Sequence, residues 1–337
     1  MMPRGSLRRF PIGGTVLAFF SGGYFDRPRL IAGLLAWLAV VGAVVLAKRP
    51  LPRHSAGRLA LAGLSALCAW TALSLLWTPL GASTGDDIQR LLLYLGYLLA
   101  CVVLFRAAWV ERALEPALAA GTLVVTGYAL SERLVPDLVT LSQSVTAGGR
   151  LEQPLTYWNA SGALAAMGLV LCVRIAGDGG RDVRLRAAGA AAAVPLAAGA
   201  YLSLSRGVIA ATAVGLAVLV ALAPDGRAQL RACGVALVTC LPAAVAAGAL
   251  PAVRTLGESA GAQRVQGLVM LVILVALAAL AAFLTGREAG AARPSSGPLT
   301  GRRRALATAG VGLVLVGALL AAAALESGPE AQDPQFG

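Results

Sequence analysis

The stretch AAGAAAAVPLAAGAYLSLSRGVIAATAVGLAVLVALA, residues 187–223, holds 37 residues and a single charge, Arg206. As one straight helix it would measure about 55 Å at about 1.5 Å per residue, far beyond the ~30 Å hydrocarbon core of a bilayer. It therefore has to fold back, and Arg206, followed by Gly207, stands almost at its midpoint. The expectation is a helical hairpin, 187–204 and 207–223, with Arg206 at the turn. Arginines flank it on both sides, Arg181, Arg184 and Arg186 before it and Arg227 and Arg231 after it. Both feet of the hairpin then share one face of a membrane, and Arg206 is delivered to the other.

Outward from this hairpin the same pattern repeats. Apolar runs occupy 10–25, 30–47, 59–77, 88–105, 113–131 and 157–173 before it, and 232–251, 267–285 and 305–325 after it. Most reach the ~17–25 residues that a spanning helix needs. Pro195 and Pro242 lie inside runs, which membrane helices tolerate because neighbouring groups re-satisfy the freed carbonyls. The first run follows Arg4, Arg8 and Arg9 as a signal peptide would, but no small-x-small cleavage site follows it, so it reads as an uncleaved first helix. Composition agrees: of 337 residues 58% are apolar and 13% charged, against about 25% charged in a soluble domain, and mean hydropathy is +0.77. The 40 glycines and 17 prolines sit among Ala, Leu and Val. A disordered chain, a collagen and a soluble globular enzyme are excluded. The expected fold is all-α, a polytopic transmembrane bundle of about eleven helices forming one domain, 1–325, with a short acidic tail, 326–337.

Loop charges set the expected orientation. With the N-terminus inside, 20 of the 28 basic residues fall on inner segments, among them Lys48, Arg49, Arg53, Arg58, Arg174 and Arg302 to Arg304. Eight fall outside: Arg27, Arg29, Arg90, Arg133, Arg150, Arg206, Arg254 and Arg264. Such a bias predicts N-in, C-out topology in the cytoplasmic (inner) membrane. The longest outer loop is then 132–156 and the longest inner one 286–304. The net charge of +12 is absorbed by these clusters, so the expected surroundings are membrane lipids and no nucleic acid.

Soluble-enzyme chemistry finds no foothold. A phosphate loop ending in Gly-Lys-Ser/Thr is absent from the sequence, which argues against an ATP-driven motor. Cys68, Cys101, Cys172, Cys233 and Cys240 lie in or at the ends of apolar runs without metal-ligand spacing, and read as small buried hydrophobes. No cofactor or metal is expected. The one histidine, His54, falls in an inner loop. Helix interiors are almost free of Asp, Glu and His, which argues against an ion-coupled carrier.

Two outer clusters are left. One runs from loop into helix as Gly148-Gly149-Arg150-Leu151-Glu152-Gln153-Pro154-Leu155-Thr156-Tyr157-Trp158-Asn159. Tyr157 and Trp158 suit an interfacial aromatic belt, while Asn159 in a first helical turn wants a polar partner. The other is Ser203-Leu204-Ser205-Arg206-Gly207, which also reads as a snorkelling arginine in a tight turn. A guanidinium is a planar fork that suits a phosphate or pyrophosphate group. Arg150, Tyr157, Asn159, Ser205 and Arg206 are the candidate binding residues, and no catalytic residue is assigned.

At these residues the sequence resembles the O-antigen ligase family of polytopic membrane glycosyltransferases. The likeness is carried by Leu73 to Pro79 with Gln89 to Tyr94, by Arg150 to Asn159, which resembles an Arg-x-x-Gly-Pro-x-x-x-Pro-Asn segment, and by the Ser205-Arg206-Gly207 turn; it covers roughly residues 60–225. Gln153 and Trp158 stand where that family commonly has Gly and Pro. The resemblance implies transfer of a glycan from a polyprenyl-pyrophosphate donor to an acceptor hydroxyl on the outer face, with Arg150 and Arg206 on the pyrophosphate. It also implies a histidine in a large late outer loop, and this sequence reaches Gly337 without one, as a truncated member would. The alternative class is a permease or a lipid-linked-glycan binding protein without enzymatic activity.

Overall fold

The structure, a computed structural model, describes residues 15–46, 55–104 and 108–291, with Pro52, Gly301 and Gly310 singly. The expected helix 305–325, the tail 326–337, residues 10–14 of the first run and His54 lie outside the described residues. Among the described residues all regular structure is helical. The chain forms two compact units, 1–117 and 118–337.

The first unit holds α1 (Asp26–Leu46), α2 (Ser55–Ser74), α3 (Gly81–Leu104) and the beginning of α4 (Ala108–Leu134). Both α1 and α2 pack on α3. Arg29, only 1% exposed, ties the start of α1 to the start of α3. It donates to the Asp26 and Asp86 carboxylates at 2.5 and 3.0 Å, to the Gln89 side-chain oxygen at 3.1 Å and to the Tyr24 carbonyl at 3.1 Å. Farther along, Trp37 Nε1 donates to the Leu92 carbonyl at 3.1 Å. The two helices thus run parallel, as a return through α2 requires. The expected helix 10–25 is corrected here: Ser21, Gly22 and Gly23 take φ of 54°, 64° and 78°, a left-handed turn that glycine allows cheaply and that ends any helix before α1 begins.

The second unit holds the rest of α4 with α5 (Trp158–Ala176), α6 (Val183–Leu202), α7 (Arg206–Leu222), α8 (Gly226–Ala249), α9 (Pro251–Thr255) and α10 (Ala260–Ala291). Helix α6 is its centre, packed against α5, α7, α8 and α10. An Ala- and Gly-rich helix without a polar face can bury itself all round, and Asp182 caps it by accepting from the Arg184 amide at 2.8 Å. Small residues set the spacing. A Cβ on Gly168 would overlap the Thr122 hydroxyl, one on Gly199 would overlap the Thr126 methyl, and one on Gly189 would stand 3.0 Å from the Cys172 carbonyl oxygen. Lipid supplies no hydrophobic force between helices, so close backbone approach and dispersion have to hold them.

The expected fold-back is present: α6 ends at Leu202, α7 begins at Arg206, and Leu204 turns the chain with φ of 49°. Other boundaries shift. Helices α3, α4 and α10 begin at Gly81, Ala108 and Ala260 instead of 88, 113 and 267, and α4 and α10 continue to Leu134 and Ala291. An apolar run marks only the length suited to lipid, whereas the hydrogen-bonded helix continues through polar residues into the interface. The expected outer loop 132–156 therefore gives its first residues to α4, and the expected inner loop 286–304 gives its first residues to α10. The expected helix 59–77 stops at Ser74 before Pro79, and 232–251 is broken at Leu250, whose φ of −104° and ψ of 97° lead into Pro251 at the first position of α9.

Among the described residues six helical segments are long and apolar enough to cross a membrane: Gly57–Ser74, Arg112–Leu134, Trp158–Ala176, Val183–Leu202, Gly226–Ala249 and Ala260–Arg287, with Arg206–Leu222 shorter but apolar. Large apolar side chains such as Leu34, Leu38, Val272 and Phe283 face outward, as contact with lipid requires. The chain is a multi-pass membrane protein.

Candidate functional site

Helix alternation gathers the end of α4, the start of α5, the α6–α7 turn, α9 and the start of α10 at one end of the second unit. Arg133, in the last turn of α4 and 2% exposed, organises it. Its guanidinium donates to the Val253 carbonyl, to the Arg254 carbonyl at 2.7 Å and to the Gly149 carbonyl at 2.5 Å. One side chain thus clamps α9 to the 148–151 loop. Gly149, with φ of 75°, lies so close to Thr255 that a Cβ would stand 2.5 Å from its carbonyl oxygen.

The same loop is stitched to the α6–α7 turn. The Leu151 amide donates to the Leu202 carbonyl at 3.0 Å, and a Cβ on Gly162 would stand 2.7 Å from Ser203 Cβ. Glu152, 1% exposed, accepts from the Ser144 amide at 2.5 Å and from its hydroxyl at 2.7 Å, while its own carbonyl accepts from the Ser161 hydroxyl at 2.8 Å. The Gln153–Pro154 peptide is cis. These contacts hold the loop in place from both flanks.

Arg150 and Arg206 therefore belong to segments joined by the Leu151–Leu202 bond. The Arg150 guanidinium lies over the Trp158 ring, 4.9 Å from its centroid, a cation–π contact that fixes its direction. Tyr157 packs against Trp158 with ring centroids 5.2 Å apart, is 49% exposed, and accepts at its hydroxyl from Asn159 Nδ2 at 2.7 Å. That is the partner the carboxamide wanted. Ser205 stands at the N-cap of α7 without a side-chain capping bond, and Arg206, exposed, is the first residue of the helix. Arg150, Tyr157 and Asn159 form one cluster around Trp158, and Ser205 and Arg206 form the adjoining turn.

Backbone strain gathers at this end as well. Thr156, Leu204 and Leu256 have φ of 59°, 49° and 59°, each costing ~1–2 kcal/mol relative to ordinary backbone. Thr156 and Leu204 each stand two residues before a helix, α5 and α7, and Leu256 follows α9 directly. Strain of this kind persists where the surroundings over-determine it, and it concentrates at functional sites.

Three structural residues were not expected. Arg133 counted only as one of the outer loop charges and Glu152 only as a member of the Gly148–Asn159 stretch, yet both are buried and bind backbone. Arg254, within α9, sits beside the clamp. Among the described residues no group of three His, Cys, Asp or Glu could hold a metal ion, and the five thiols are unpaired.

No family model matches the chain, and neither a curated protein nor a solved structure matches it.

Proposed function

We propose that this protein is an O-antigen ligase-like membrane protein that binds the pyrophosphate of a polyprenyl-linked glycan at the Arg150–Arg206 end and offers the glycan to an acceptor hydroxyl. In this reading the site lies on the outer face of the cytoplasmic membrane, within an N-in, C-out bundle of about eleven spans. The observation that carries it is the stitching of the 148–157 loop to the last residue of α6, at the foot of the turn that leads to Arg206, by the Leu151–Leu202 hydrogen bond. Two guanidinium-bearing segments, far apart in sequence, are built into one loop cluster beside exposed Tyr157.

The chemistry asked of these residues is modest. The acceptor oxygen bonds to the anomeric carbon as the bond to the pyrophosphate oxygen breaks, and the negative charge moves onto the leaving group. Fixed guanidinium donors stabilise that developing charge, and Tyr157 and Asn159 offer a ring face and an amide to the sugar. The hydroxyl proton has to go to a base, a contribution of typically ~10²–10⁴-fold.

The second reading, glycan-lipid binding without transfer, is favoured by Glu152. It is the carboxylate nearest Arg150 in sequence, and both its oxygens are already engaged by Ser144. Reconstitution into vesicles with a lipid-linked glycan and hydroxyl acceptors separates the two. Turnover lost in Arg150→Ala and Arg206→Ala supports the ligase. Saturable binding of the donor without turnover supports the binding protein. Absence of both refutes the site.

A further inference from the structure

The charge balance at this end of the second unit is uneven. Asp137 pairs with Arg264 at 2.7 Å. Glu132 is occupied by the Leu141 amide at 2.9 Å and Gln143 Nε2 at 2.6 Å. Glu152 is occupied by Ser144. Arg133, Arg150 and Arg254 make no carboxylate ion pair among the described residues, although Arg133 feels the charge of its neighbour Glu132, and the exposed carboxylate of Glu258, just beyond α9, makes no side-chain hydrogen bond there. Arg133 spends its donors on three carbonyls, yet its Nε is buried without a partner. The Nε of Arg254 is likewise buried and unpartnered, and its side chain makes no hydrogen bond within the described residues.

The segments that bear these charges are held close. Arg133 binds the carbonyls of Val253, Arg254 and Gly149. Arg254 and Arg150 are the chain neighbours of Thr255 and Gly149, which touch backbone to backbone. Arg133 is buried and Arg150 and Arg254 are half-buried, and a guanidinium partly withdrawn from water without an ion-pair partner gains from an anion that completes it. We propose that Arg254 is a further anion-binding residue, which together with Arg150 receives the pyrophosphate group, and that Arg133 is the positioning residue that sets the two side by side. This rests on the pyrophosphate reading above and adds to it a residue on α9 outside the Arg150 and Arg206 segments. A pyrophosphate has two phosphoryl groups, and separate guanidinium forks can take one each.

The experiment uses the whole protein in nanodiscs, with inorganic pyrophosphate and a short-chain polyprenyl pyrophosphate as probes, titrated by calorimetry. Arg254→Gln is expected to weaken both at least about tenfold, the loss of one hydrogen bond to a charged group. Arg264→Gln, whose charge Asp137 already balances, is expected to leave both affinities unchanged. Weakening of the prenylated probe alone would assign the effect to the lipid-linked ligand, and equal weakening of both to the shared pyrophosphate group; either supports the role of Arg254. Wild-type affinity in Arg254→Gln, with loss in Arg150→Gln and Arg206→Gln, overturns the proposal and leaves the wider reading intact. Equal loss in Arg264→Gln overturns it in favour of diffuse charge. No binding of either probe by the wild type overturns both. If Arg254→Gln does not fold, phenylglyoxal labelling of the wild type decides, because pyrophosphate has to protect Arg254 and leave Arg264 reactive.

Discussion

Replacing Arg133 by methionine removes a charged donor from three carbonyls while preserving the bulk of the side chain. Each hydrogen bond from a charged donor is worth ~1.5–3 kcal/mol, but dehydrating a guanidinium takes back several kcal/mol. What the variant leaves behind decides the balance. Val253 is 1% exposed, so its orphaned carbonyl has no ready access to water, at a cost of ~1–3 kcal/mol. The Gly149 and Arg254 carbonyls lose the same partner. A net loss of about 3–5 kcal/mol follows, the range for removing one partner of a buried charged interaction. The loss has a definite place, because Arg133 joins only α4, the 148–151 loop and α9. Hydrogen exchange in nanodiscs is therefore expected to quicken roughly a hundredfold or more at 149–152 and 252–255. The amides of α6, at the centre of the unit, should keep their protection. Unchanged exchange in the loop, or acceleration spread evenly over α5 to α8, would refute the clamp.

Gly162→Ala places a Cβ 2.7 Å from Ser203 Cβ and 2.8 Å from Val208 Cγ2; it should destabilise by ~1–3 kcal/mol in thermal unfolding and weaken anion binding by displacing the turn that bears Arg206. Glu152→Gln keeps an acceptor for the Ser144 amide and a partner for its hydroxyl, so it should unfold within about 1 kcal/mol of wild type, whereas Glu152→Ala should lose ~1–3 kcal/mol and expose residues 142–152 to protease; the reverse order would refute the bracing role. Cysteines at Ser144 and Ser259 should react with an impermeant reagent from outside intact cells and one at Gly180 should not; labelling at Gly180 alone would invert the assigned orientation.

The hairpin at 203–205 was legible because it follows from length and one charge, with no need to know what surrounds it. The same reasoning located α5 and α7 to within a few residues. It failed at Arg29 and Arg133 for one reason: a charge count treats every arginine as solvated, but a helix end can carry its guanidinium into backbone carbonyls or carboxylates of a neighbouring segment. Helix ends were misplaced for another reason. Hydropathy detects what suits lipid, while the helix is ended by backbone events such as the left-handed turn at Ser21 to Gly23 or the Leu250–Pro251 step. At the candidate site, the residue types were readable and their mutual arrangement was not. Arg150 over Trp158, and Asn159 on the Tyr157 hydroxyl, depend on rotamers that spacing does not specify.

The seams at Gly168, Gly189 and Gly199 carry a consequence for how variation in this chain is to be weighed. Glycine to alanine or leucine makes a membrane segment more apolar, and any scale of transfer free energy scores it as harmless or favourable. Here the added carbon would meet Thr122, Cys172 or Thr126, so the most damaging changes include some that improve the hydropathy profile. Shortening an outward Leu34 or Val272 lowers that profile and touches little protein. Tolerance in this bundle is sorted by volume at the seam and by solubility at the rim, and the two orderings run in opposite directions.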